Sequence, residues 1–107
     1  MREIQHIKAR LAAEIDGFDP DSHGHGIGAW NRAILADFEA ALIEPQLIEV
    51  HLAGGVTDWA WAVTRTNGCY RVLWLPWLDA FSLAVESRFG PVDIDVHGNA
   101  IGCFSSV

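Results

Sequence analysis

The chain has 107 residues, half of them hydrophobic, with five Trp, five Phe and a formal net charge of −7. That is one domain with enough apolar surface to remove about two-thirds of the unfolded chain's surface from water, which excludes a disordered chain. The acidic balance excludes direct binding to nucleic acid, whose phosphates need a positive footprint, and no apolar run approaches the ~20 residues of a membrane span.

The first residues, MREIQHIKARLAAEID, are too charged and too periodic for a signal peptide, so a cytoplasmic location is expected. Cys69 and Cys103 show no CxxC spacing and read as two free thiols in a reducing compartment. Residues 2–16 form an amphipathic helix: Ile4, Ile7, Leu11 and Ile15 share one stripe, with Arg2, Glu3, Lys8, Arg10 and Glu14 around it. Gly17 stops it and Asp19-Pro20 opens a turn. SHGHGIG, residues 22–28, has glycine at every second position and is expected to be a loop. A second helix is expected from about Ala29 to Ile43, with Trp30, Ile34, Phe38, Ala41 and Leu42 on one stripe, and Pro45 ends it.

From there the period changes to two. Ile48, Val50 and Leu52 alternate with Glu49 and His51, and Gly54-Gly55 turn the chain into TDWAWAVTRTNGCYRVLWLP, residues 57–76. Asn67-Gly68 signals a two-residue type I′ hairpin, which needs positive φ at both residues. Such a turn sets Arg65 opposite Tyr70, Val63 opposite Val72 and Trp61 opposite Trp74, with Trp59 on the same face. Phe81, Leu83 and Val85 then alternate with Ser82, Ala84 and Glu86, and Phe89-Gly90-Pro91 makes another turn. VDIDVH sets Val92, Ile94 and Val96 on one face and Asp93, Asp95 and His97 on the other. Gly98-Asn99 turns into a last strand over about 101–105. The sum is an α+β fold: two N-terminal helices packed on one face of a five- or six-stranded antiparallel meander, a two-layer sandwich.

The helices have two apolar faces of the hairpin to choose from. Trp59, Trp61 and Trp74 offer one, closed by Trp30 in the simplest core; Ala60, Ala62, Leu73 and Leu75 offer the other, which would leave the tryptophans as an exposed binding surface. At the hairpin tip, Arg65 beside Tyr70 suggests a cation–π contact.

Two polar clusters are candidate sites. Asp93, Asp95 and His97 project from one strand face, as Glu49 and His51 do from another. Such oxygen and imidazole donors suit a divalent metal, although a half-exposed sheet also needs charges there simply for solvation. His23 and His25, flanked by glycine and preceded by Asp19 and Asp21, form a second candidate metal set, without an HExxH or CxxC spacing. GHGIG lacks both the GxGxxG spacing and the Walker lysine of a phosphate cradle. No serine stands in a GxSxG elbow, and a Cys/His pair would require His97 to reach Cys103 across the Gly98-Asn99 turn.

These features point to a small acidic protein that binds another protein, expected to be basic, such as an inhibitor or immunity-type protein neutralising a nuclease toxin. Its contacts would be Asp19, Asp21, Glu49, Asp93 and Asp95. The alternative is a metal-dependent enzyme or metal-binding domain using His23 and His25 with His51, His97 and the strand carboxylates. A homo-oligomer with Trp-rich strands at the subunit boundary is a third arrangement.

Overall fold

The structure is a computed structural model that describes residues 2–21 and 28–107. It is α+β, with three helices and a five-stranded sheet. Helix α1 (Arg2–Gly17) and α2 (Gly28–Ala41) precede strands β1 (Leu42–His51), β2 (Thr57–Thr64), β3 (Tyr70–Leu75), β4 (Ala80–Ser87) and β5 (Gly90–Gly98). Helix α3 (Ala100–Ser105) follows them. None of the described helices is long and apolar enough to cross a membrane.

The sheet is not the open layer expected. Its strands run in chain order and close into a barrel: consecutive strands pair antiparallel, while β1 and β5 pair in parallel through His51 and Val92. Closure explains why both hairpin faces are apolar. The helices lie over the tryptophan face, where Trp61, Val63, Val72, Trp74, Phe81 and Leu83 pack with Ile7, Leu11, Phe38 and Ile101. The opposite face is not left to solvent, because Val50, Ala60, Ala62, Leu73, Leu75 and Ala84 form a second core inside the ring. A small barrel is filled by its own side chains, and alanine on adjacent strands lets the walls approach.

Trp30 does not close the interior. It is 51 % exposed, and Trp59, at 56 %, lies on the part of the outer wall that the helices leave bare.

Three local features depart from the sequence pattern. The strand after α2 begins at Leu42, immediately past the helix, and takes Pro45 into a register shift between Leu42 and Gln46. A residue without an N–H belongs at such an irregularity. In the β2–β3 connection the expected register holds, with Trp61 opposite Trp74 and Ala62 opposite Leu73. The turn itself is not type I′: of its two central residues only Gly68 has positive φ (+97°). Instead the Asn67 side-chain oxygen accepts from the N–H groups of Cys69 and Tyr70 at 2.9 and 2.8 Å, an Asx-type turn. No cation–π contact joins Arg65 and Tyr70; among the described residues Arg10 lies over Trp74 at 5.1 Å.

The stretch expected as a last strand is helix α3. Asn99 is its N-cap, its side chain accepting from Gly102 N–H at 2.6 Å. The Glu14 carboxylate reaches from α1 to accept from Ala100 N–H and Ile101 N–H at 2.8 and 3.1 Å. The amides that open a helix have no partner within it, and these two side chains supply them.

Candidate metal centre

The polar cluster of β5 is built by a break in its alternation. Leu83 faces Val96, yet Ala84 faces Asp93, so Ile94 and Asp95 have no partners on β4. Asp95 takes φ +62° in this bulge, a conformation that Asp tolerates better than most residues. Asp93 and His97 thereby stay on the face that Ala84 and Ser82 turn to the barrel interior, while Asp95 swings outward.

The outer solvated face expected for this strand is therefore corrected: the Asp93 side chain is only 6 % exposed, against 31 % for His97. Such a buried carboxylate needs donors, and it has two. Ser82, itself fully buried, donates its hydroxyl to Asp93 Oδ1. His97 Nε2 lies 3.1 Å from Asp93 Oδ2 and 3.8 Å from Asp95 Oδ1.

Asp93, Asp95 and His97 each bring a ligand atom within 4.8 Å of the others, the one such group of three among the described residues. Two carboxylate oxygens and an imidazole nitrogen suit a borderline divalent ion such as Mn, Fe or Zn better than the all-oxygen cages of Ca. The same arrangement is a poor nucleophilic triad. The Ser82 hydroxyl bonds the carboxylate and not the imidazole, so no base lies on it.

The remaining candidates are dispersed. His51 pairs in the ladder next to β5, but its Nε2 contacts the Phe89 carbonyl at 2.8 Å, and it is not in the Asp93 group. Glu49 accepts from Thr57 Oγ1 at 3.3 Å on the outer wall, across from Trp59. Asp19 accepts from Asp21 N–H at 3.0 Å, and Asp21 is ion-paired with Arg32 at 3.0 Å. His23 and His25 lie outside the described residues. Cys103 is not a partner of His97: its thiol donates to the Val96 carbonyl at 3.3 Å. Burial, then Glu14 and Asp93, push its pKa up to about 11, far from a thiolate at neutral pH. Ser82 is the participant that sequence reasoning passed over. Its signal is a hydroxyl at an inward position of the apolar stretch from Phe81 to Val85.

Two grooves flank α2. One of about 870 Å3 lies among α1, α2 and α3, with Phe18, Trp30, Ile34 and Ile101 in its walls; another of about 470 Å3 lies between α2 and the β2–β3 turn. Comparison with protein-family models, curated proteins and solved structures finds no match to this chain.

Proposed function

We propose that this chain is a metal-binding domain that holds one divalent transition ion through Asp93, Asp95 and His97. The observation that supports the reading is the convergence of these three donors around the β5 bulge. A buried hydroxyl fixes the innermost carboxylate, and the outermost is 81 % exposed. An ion held from one side by one strand keeps positions open to solvent, which is the arrangement of an exchangeable or catalytic site rather than a closed structural one.

Native mass spectrometry of the purified protein, before and after a chelator and after addition of Mn2+ or Zn2+, tests the proposal. The expected result is one ion per chain, lost on chelation and absent in His97→Ala and Asp95→Ala. An ion that persists in both variants but disappears in His23→Ala would move the site to the glycine-rich segment, and no uptake by the unaltered chain would refute it.

A second reading, binding of a basic partner protein in a cytoplasmic setting, is favoured by a separate observation. Lys8, Arg10, Arg32 and Arg71 each pair with a carboxylate, so these cations are already neutralised within a chain of net charge −7. Glu49 borders Trp59 and Leu47, both about half exposed on the bare outer wall. An aromatic anchor with an acidic rim suits a cationic surface. A partner recovered by pull-down should bind at least tenfold more weakly to Trp59→Ala, and more weakly still as salt rises; affinity indifferent to both would end this reading.

A further inference from the structure

The 470 Å3 groove between α2 and the β2–β3 turn has the size of a small-ligand site, typically about 300–1,000 Å3. Its walls are Trp30 and Ile34 of α2, Val72 and Leu83 of the sheet, and Phe104 of α3. Helix α2 commits Phe38 and Ala41 to the core. Trp30 and Ile34, one turn apart on the same helix, remain at the groove, and the indole stays half exposed. That apolar wall is bordered by three charged residues, Asp37, Arg65 and Arg71, of which Arg71 is already paired with Glu86. Four of the other basic side chains pair with carboxylates, whereas neither Arg65 nor Asp37 takes part in any ion pair or side-chain hydrogen bond among the described residues. The Arg65 backbone is anchored, its N–H donating to the Ala41 carbonyl at 2.9 Å, so the guanidinium starts from a fixed point at the end of α2.

We propose that this groove binds a small zwitterion with an apolar body, in chemical class an apolar amino acid. Trp30, Ile34 and Phe104 take the body, Arg65 takes the carboxylate and Asp37 takes the ammonium. One uncommitted charge of each sign beside an apolar wall matches a ligand that carries both. It matches a simple fatty anion less well, because Asp37 would repel it. This site shares no residue with the β5 cluster and stands whether or not that cluster holds a metal.

Calorimetry of the full chain with L-phenylalanine, 3-phenylpropanoate and 2-phenylethylamine tests it, with the Trp30 indole N–H followed by NMR. L-Phenylalanine should bind one per chain and shift the Trp30 signal, and each analogue lacking one charge should bind at least tenfold more weakly. Arg65→Gln should weaken L-phenylalanine and 3-phenylpropanoate but not 2-phenylethylamine, and Asp37→Asn should do the reverse. Both side chains are exposed, so neither variant threatens folding. Ala40→Trp, which fills the groove from α2, should abolish binding. The proposal is overturned by no uptake of L-phenylalanine at millimolar concentration, by 3-phenylpropanoate binding as tightly as the amino acid, or by binding that survives Ala40→Trp.

Discussion

Glu14 on α1 accepts a hydrogen bond from the backbone of Ala100, at 2.8 Å and 86 positions along the chain. A second bond from Ile101 N–H makes this carboxylate the joint between the first helix and the last. Hydrogen bonds to a charged group contribute about 1.5–3 kcal/mol. Glu14→Ala should therefore lower the stability measured by urea unfolding by about 2 kcal/mol, with the slope m unchanged. Glu14→Asp, too short to span the same gap, should recover little of it.

Ser82 and Asp93 offer a test that separates positioning from folding. Ser82→Ala removes the hydroxyl that fixes Asp93 Oδ1 and leaves the three ligand atoms in place. Loss of such a supporting hydrogen bond lowers metal affinity about 10–100-fold in characterised sites, and we expect a loss in that range by calorimetry with Zn2+ or Mn2+. Ser82→Thr, which keeps the hydroxyl, should restore part of the affinity.

Asp79 supplies a pH dependence whose sign follows from its contacts. The hydrogen bond from His6, then that from Arg10, hold its carboxyl below the usual value. A depressed folded-state pKa contributes stability above the unfolded value of about 4 and loses it as pH falls through the folded one. The unaltered chain should accordingly exceed Asp79→Asn in melting temperature near neutral pH, and the gap should close below about pH 4. Both partners are solvent-exposed, so salt should narrow it too.

The two thiols should differ in reactivity. Cys69 is exposed at the β2–β3 turn and Cys103 is buried, with its pKa raised to about 11. A thiol reagent at pH 8 should modify one cysteine at once and the second only in denaturant. Cys69→Ser should abolish the fast phase.

What the sequence conveyed best was local. The Asn67-Gly68 signal and the period of two put Trp61 opposite Trp74, because a short connection leaves few registers open. The apolar character of both faces of β2 and β3 was legible as well, but not its cause. Curling a sheet into a ring depends on irregularities at Pro45 and at Ile94-Asp95, and each is defined only against a neighbouring strand. Helix α3 was missed because six residues carry almost no periodic signal and Asn99, a good turn former, serves as an N-cap. The same division runs through the site. Spacing alone groups Asp93, Asp95 and His97, whereas the role of Ser82 depends on a β4–β5 register that neither strand contains. Burial of Asp93 follows from that register too.

The joint between His51 and Val92 also bears on how the protein is made. A ring sealed by its first and last strands has no finished interior while it is being synthesised: the alanine-lined inner wall stays open until β5 has emerged from the ribosome. Hairpins can form early, but the contact that completes the ring is the longest-range strand pairing of the sheet, and such contacts slow folding. During that interval the growing chain exposes apolar strands to its neighbours, and a delay near the β5 bulge would hold it there longest.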